Sequence, residues 1–159
     1  MIDEKQELLK KLEMLPKHMQ SVKDAIYHGN GYWYPLEYDY LPSFKTVVYK
    51  MPISSKEADE YMEFLKGVFE KAGISRVTGF HPFFYEDQPT WRDIPDIKAF
   101  LYEKDKYGCG FGWINEQYYY DSSEKWIIYV SHESTITFSG DDLATIAEEV
   151  IPEKYKYPT

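Results

Sequence analysis

Apolar residues recur every three to four positions in several stretches of this chain, which is the spacing of one buried helix face. The first stretch predicts a helix over residues 3–14. Leu15-Pro16 interrupts that helix, because proline disfavours a helical conformation in the residue before it. A second short helix is predicted to follow. It ends at residues 28–31 (HGNG), since glycine and asparagine tolerate the left-handed conformation that ends many helices.

The longest helical pattern covers residues 55–72. Ser54 and Glu57 have the spacing of a capping box at its start, and Gly73 stands where a C-cap glycine belongs. Five apolar residues share the face that is predicted to point inward: Ala58, Met62, Leu65, Phe69 and Ala72.

A last helix is predicted over residues 141–150, with Ser139 as its N-cap. Its acidic residues lie near the positive N-terminal end of the helix dipole. The tail, residues 152–159, is predicted to be a loosely held end.

β-Branched and aromatic residues dominate most of the remaining chain and predict strands. The predicted strands are residues 44–51, 74–80, 98–103, 110–115, 125–131 and 134–138. The segment WIIYV, residues 126–130, is apolar at every position, which is typical of a central strand. We expect residues 1–159 to form a single α+β domain, with a mostly antiparallel sheet of about five to six strands and three to four helices packed against it.

The chain is acidic, with a net charge of −9 and a pI of about 4.9. Nucleic-acid binders usually carry a basic patch, and only Arg76 and Arg92 could offer the bidentate fork that suits phosphate. We therefore expect no direct nucleic-acid binding. An acidic surface suits a basic protein partner, because opposite potentials speed encounter.

Residues that could carry catalysis or bind metal occur without the spacing that this chemistry needs. His132-Glu133 begins like a zincin motif, but the second histidine one helical turn later is missing. Cys109 is the single cysteine, which excludes thiolate zinc sites. The glycines around it lack the Lys-Ser/Thr pair of a phosphate loop. We expect no catalytic residues, no metal site and no cofactor.

Aromatic residues make up 18% of the chain, and many of them lie beside acids in three segments. These are residues 32–40 (YWYPLEYDY), 83–91 (FFYEDQPTW) and 116–121 (EQYYYD). Tyrosine and tryptophan supply contact area at low entropic cost, and carboxylates can meet lysine or arginine of a partner. The alternative is that the rings pack inward and the acids only face water. The predicted partner-binding residues are Glu37, Tyr38, Asp39, Tyr40, Tyr85, Glu86, Asp87, Trp91, Glu116, Tyr118, Tyr119, Tyr120 and Asp121.

Leu15-Pro16 is followed by a short predicted helix and then by Asn30-Gly31. In the second half, a hairpin through Lys106-Tyr107-Gly108 leads to WIIYV and then through residues 138–140 into the closing helix. This layout resembles the SUKH superfamily, whose bacterial members are largely immunity proteins that neutralise toxins, many of them nucleases. The helix over residues 55–72 departs from the family's pattern. No binding residues carry over, because the contact positions of that family are not fixed by a motif.

Together these features predict a non-catalytic protein-binding module of immunity or antitoxin type, which neutralises a basic toxin domain by occlusion. One alternative is a carbohydrate-binding module with Trp33, Trp91 and Tyr118–Tyr120 as stacking platforms. A less favoured alternative is a small hydrolase with His81 or His132 as its base. The first residues, MIDEKQELLKKLEML, carry acids where a signal peptide needs positive charge. No apolar run reaches the roughly 20 residues of a membrane helix. The cytoplasm is therefore the expected compartment, with no membrane partner.

Overall fold

The computed structural model describes residues 4–28, 44–52, 55–81, 91–103, 117–131 and 133–157. Within these ranges the helices are α1 (Glu4–Glu13), α2 (Gln20–His28), α3 (Ser55–Ala72), α4 (Ile97–Phe100) and α5 (Asp141–Val150). The strands are β1 (Thr46–Lys50), β2 (Val77–Phe80), β3 (Trp91–Ile94), β4 (Gln117–Tyr120), β5 (Ile127–Val130) and β6 (Thr135–Ser139). Short 3-10 helices lie at Lys17–Met19 and Glu153–Tyr155. The predicted α+β fold is confirmed.

The six strands form one antiparallel sheet in the order β1-β6-β5-β4-β2-β3. Strand β5 lies inside the sheet, as its continuous apolar sequence predicts. Its residues alternate in direction, so that Ile128 and Val130 enter one core while Ile127 and Tyr129 enter another. The sheet is therefore buried on both faces at its centre, which explains why this strand has no polar position.

The two cores lie on opposite faces of the sheet. The first core contains apolar side chains of α3, α4 and α5, such as Leu65, Ile97 and Leu143. The second core is formed by the N-terminal helical segment, whose Leu12, Met19 and Val22 pack on the tyrosine-rich face of β4 and β5. The molecule thus has a helical layer on each side of one sheet.

Helix α3 has the predicted bounds and ends as its sequence indicates. Gly73 adopts a left-handed φ of 69°. The Gly73 amide donates to the Glu70 carbonyl at 3.2 Å, and the Ile74 amide donates to the Phe69 carbonyl at 3.0 Å. These two bonds form a Schellman motif, which satisfies carbonyls that the helix leaves free. The capping box predicted at Ser54 lies outside the described residues.

Helix α5 also has the predicted bounds, but its N-cap was predicted wrongly. Ser139 is buried in β6, and the cap position is Gly140, with a φ of 153°. A Cβ at Gly140 would lie 2.7 Å from the Cβ of Trp126 and 2.8 Å from the Lys125 carbonyl oxygen. The close passage of the chain beside Trp126 therefore requires glycine at the start of α5.

The strand predicted over residues 98–103 was wrong, because this segment contains the short helix α4 and a turn. Asp96 is its N-cap and accepts hydrogen bonds from the amides of Lys98 and Ala99 at 3.1 and 3.3 Å. An aspartate that satisfies two free amides favours a helical start over a strand. The strand predicted over residues 110–115 lies outside the described residues.

The C-terminal tail is not a loose end, contrary to the prediction, over its described residues 152–157. We call this segment the C-terminal strap. Tyr155 is buried in the first core, and the Tyr157 amide donates to the Val48 carbonyl at 2.8 Å. Lys156 lies 3.0 Å from Glu148, which also pairs with Lys45. The strap therefore covers the outer edge of β1.

Candidate binding surface

The structure describes only part of the three predicted acidic–aromatic segments. Residues 32–40 lie outside the described residues, and so do 83–90 and Glu116. The predicted partner-binding residues that it does describe are Trp91, Tyr118, Tyr119, Tyr120 and Asp121. The placement of the others, Glu37, Tyr38, Asp39, Tyr40, Tyr85, Glu86 and Asp87 among them, stays a prediction.

The rings of Tyr118, Tyr119 and Tyr120 are buried in β4. Tyr118 and Tyr120 enter the second core, and Tyr119 enters the first. Tyr118 stacks on Tyr129 of the neighbouring strand, with ring centroids 4.5 Å apart and planes 11° from parallel. The exposed platform expected at these three residues was therefore wrong. Both faces of the sheet are covered here, so consecutive tyrosines are all internal.

Trp91 and Asp121 have structural contacts of their own. Trp91 is half-buried at the start of β3, with its ring centroid 5.3 Å from that of Phe80. Burial raises the pKa of the Tyr120 hydroxyl, and the Trp91 side chain opposes that rise. Asp121 follows β4 and its carboxylate accepts from the Ser123 amide at 2.9 Å, which fixes the turn to β5. Trp91, being half-buried, does not present a fully exposed ring for sugar stacking.

An exposed acidic and aromatic surface does occur on α3, where the sequence did not place one. Asp59, Glu63 and Glu70 are exposed and fall on one stripe of the helix at i, i+4 and i+11. Tyr102 lies beside them, and its hydroxyl donates to Glu63 Oε1. We call these four residues the α3 acidic face. Tyr102 is 46% exposed, whereas most tyrosines of the described residues are buried or half-buried.

Helix α4 positions Tyr102 on this face. Ile97 and Phe100 anchor α4 in the first core, and α4 packs near α3. The Tyr102 amide then donates to the Ala99 carbonyl at 3.1 Å, which fixes the turn that carries the ring. The tyrosine is held over α3 by backbone structure rather than by a loose loop.

The negative field of the face is visible at Tyr102. Its pKa is raised from 10.0 to about 12, first by partial burial and then by the hydrogen bond and charge of Glu63. The charges of Glu70 and Asp59 raise the pKa of Tyr102 further. The Tyr102 phenol therefore stays protonated and keeps donating to Glu63 even near pH 10.0, where an ordinary tyrosine is half ionised.

The carboxylates of the α3 acidic face have no ion-pair partner in the part of the chain that the structure describes. Among the described residues, no lysine or arginine forms an ion pair with Asp59, Glu63 or Glu70. Lys66 lies in the same stripe without such a pair, and Lys71 pairs instead with Glu149. Asp59 and Glu63 are like charges one turn apart, a spacing that costs an isolated helix about 0.2–0.5 kcal/mol. The face therefore keeps unpaired negative charge at a small expense to α3.

Sequence reasoning missed this face for two reasons. The helical spacing of the acidic residues in α3 is visible in the sequence, but a charged face of a helix ordinarily only faces water and does not indicate a binding site. Tyr102 was assigned to a strand, so its position next to Glu63 could not be foreseen. The signal that could have located it was Asp96, whose capping side chain indicates the helix that carries Tyr102.

The described histidines have structural surroundings. The His18 Nε2 donates to the Trp126 carbonyl at 3.0 Å, and His81 is buried at the end of β2. His132 lies outside the described residues. Within the part of the chain that the structure describes, no group of three or more histidine, cysteine, aspartate or glutamate residues is arranged to hold a metal ion. In the same residues, no helix has both the length and the apolar character that crossing a bilayer requires.

No family model, curated protein or solved structure matches this chain. The resemblance to the SUKH superfamily therefore stays a prediction.

Proposed function

We propose that this protein is a non-catalytic binding module of immunity or antitoxin type, which captures a basic toxin domain and occludes it. In this proposal the α3 acidic face is the docking surface, and the protein acts in the cytoplasm. Asp59, Glu63 and Glu70 meet lysine or arginine side chains of the partner. Tyr102 supplies apolar contact area at the centre of the charged stripe.

The observation that carries the proposal is the exposed Tyr102, whose hydroxyl donates to Glu63 among carboxylates that no described lysine or arginine pairs with. An exposed aromatic ring fixed by a hydrogen bond loses little entropy when a partner covers it. No described lysine or arginine pairs with these three carboxylates, so their charge is available to a second molecule. The net charge of −9 adds long-range attraction for a basic protein.

The layout of N-terminal helices, strands and closing helix supports the same function through its resemblance to the SUKH superfamily. That resemblance supplies the class of partner, a toxin domain, which the charges alone do not. The structure contributes the surface, because the resemblance carries no binding residues.

The test compares capture by two variants with the same change in net charge. In the face variant, Asp59→Asn, Glu63→Gln and Glu70→Gln remove three charges from the α3 acidic face. In the control variant, Glu13→Gln, Glu133→Gln and Asp142→Asn remove three exposed charges elsewhere. Tagged wild-type protein and both variants are incubated with extracts of the cells that produce the chain, and bound proteins are identified by mass spectrometry. We expect a basic protein that the wild type and the control retain and the face variant loses.

The captured protein is then purified and its association kinetics are measured at several salt concentrations. We expect the face variant to associate about tenfold more slowly than the control at low salt, with the difference shrinking as salt screens the charges. Co-expression should also protect cells from the captured protein. Equal capture by both variants, or a partner without toxicity, would contradict the proposal.

A further inference from the structure

Three tyrosines from different elements lie close together where the C-terminal strap packs on the first core. Tyr49 comes from β1, Tyr61 from α3 and Tyr155 from the 3-10 helix Glu153–Tyr155. All three are buried in the first core. The rings of Tyr61 and Tyr155 have centroids 5.0 Å apart and planes at 86°, an edge-to-face contact. The strap is thus packed onto the core through a tyrosine pair.

The described residues offer no hydrogen-bond partner to the hydroxyls of this pair. The Oη atoms of Tyr61 and Tyr155 are both buried, and neither has a hydrogen-bond partner among the described residues. Tyr61 is completely buried and Tyr155 is 8% exposed, so bulk solvent does not reach these oxygens. A buried hydroxyl without a partner is costly, and native proteins keep few of them.

The electrostatic surroundings define what could pair with them. Burial raises the pKa of Tyr61, and the neighbouring Tyr49 and Tyr155 raise it further. Burial, then Glu148 and Glu153, raise the pKa of Tyr49 to about 12. The Tyr61 hydroxyl is therefore neutral and can both donate and accept, while Glu148 and Glu153 near Tyr49 disfavour an anion. A small neutral molecule that donates and accepts hydrogen bonds fits this chemistry.

We propose that the hydroxyls of Tyr61 and Tyr155 bind one buried water molecule, with Tyr49 beside it, and that this water ties the C-terminal strap to the core. Buried waters commonly satisfy polar groups that the protein leaves unpaired, and typically make two to four hydrogen bonds. The site is internal and independent of the α3 acidic face. The water would help to hold the strap against the edge of β1, where the Tyr157 amide donates to the Val48 carbonyl.

A double-mutant cycle tests the shared water. Tyr61→Phe and Tyr155→Phe each remove one hydroxyl and keep the ring, and urea unfolding gives the folding equilibrium constant of each variant. We expect either single change to lower that constant about threefold to tenfold, because the water loses a partner. The folding equilibrium constant of the double variant should be only a little lower than that of the less stable single variant. Tyr102→Phe, at an exposed ring, is the control and should change the constant less than either.

Nuclear magnetic resonance separates a water from a direct contact. We expect cross-relaxation between water and the ring protons of Tyr61 and Tyr155 in the wild type, and its loss in the double variant. We also expect the Tyr157 amide to exchange with solvent faster in both single variants, because the strap is then held less firmly. Single variants whose effects on stability are neutral or stabilising, and add up in the double variant, would mean that no water joins the hydroxyls. Coupled effects without the water signal would mean a direct contact between the two hydroxyls. Either result overturns the proposal.

Discussion

Tyrosines beside acidic residues occur in two regions of this molecule with opposite outcomes. In β4, Tyr118, Tyr119 and Tyr120 precede Asp121, and all three rings are buried between the sheet and its two helical layers. After α4, Tyr102 precedes Glu103 and lies 46% exposed on the α3 acidic face. The local sequences are similar in character, but the β4 tyrosines pack in the cores and the Tyr102 ring is exposed to solvent.

The difference shows that neighbouring acids do not decide whether a ring is exposed. A strand directs successive side chains to opposite faces of its sheet, so three consecutive tyrosines are all buried only when both faces are covered. Helices cover both faces of this sheet at β4. Tyr102 instead follows the short helix α4, whose Ile97 and Phe100 lie in the first core, and 46% of its surface stays exposed.

Truncating a ring from each region should give the largest contrast. We expect Tyr119→Ala to lower the free energy of unfolding by about 3–5 kcal/mol, because it leaves a cavity in the first core. Tyr102→Ala should lower it by less than about 1 kcal/mol, since exposed substitutions seldom matter more. Urea unfolding followed by circular dichroism measures both values.

The intermediate substitution Tyr119→Leu keeps the comparison measurable if the alanine variant does not fold. It should fold and still be less stable than Tyr102→Ala. Similar losses at Tyr119 and Tyr102 would show that the β4 tyrosines are not core residues.

Long regular patterns made much of the fold predictable. Helix α3 repeats its apolar face over five turns and ends at Gly73, and β5 is apolar throughout, so both could be assigned from local sequence. Residues 98–103 could not, because their aromatic residues Phe100 and Tyr102 suggested a strand. The Asp96 cap and the anchoring of Ile97 in the core make this segment a helix instead.

The candidate surface depended on contacts between distant parts of the chain. The spacing of Asp59, Glu63 and Glu70 was visible, but Tyr102 joins them only through the packing of α4 near α3. The tail was misjudged for the same reason. Its polar composition suggested a loose end, whereas Tyr155 inserts into a core formed by residues far from it in sequence.

Alkaline titration should show that the pKa values of buried Tyr119 and exposed Tyr102 are raised by different causes. Burial alone raises the pKa of Tyr119, and Arg92 opposes it slightly. The pKa of Tyr102 is raised from 10.0 to about 12 by partial burial, Glu63 and the nearby acids. We expect Glu63→Gln or added salt to bring the Tyr102 pKa back toward 10.0 and to leave Tyr119 unchanged. Carbon chemical shifts of the labelled rings report each titration.

The same shifts fix the sign of the pH dependence of stability. A phenol whose pKa is higher in the folded protein stabilises it fully below the unfolded pKa of 10.0. That contribution is lost as pH rises toward about 12, because the unfolded chain releases its proton first. Unfolding experiments above pH 10.0 should therefore show falling stability, and Tyr102→Phe should reduce the slope. An unchanged slope would mean that the pKa of Tyr102 is not raised in the folded protein.

The smallest effect should come from the hydrogen bond between Tyr102 and Glu63. Tyr102→Phe, Glu63→Gln and the double variant form a cycle whose coupling energy we expect to be about 0.5 kcal/mol or less, because both groups are exposed. A coupling above about 1.5 kcal/mol would place the pair among structural bonds to charged groups. A small coupling energy, together with a large loss of partner association in the same variants, would show that the bond matters for binding rather than for stability. The bond would then serve to hold the ring in place for a second molecule, since it contributes almost nothing to the fold that carries it.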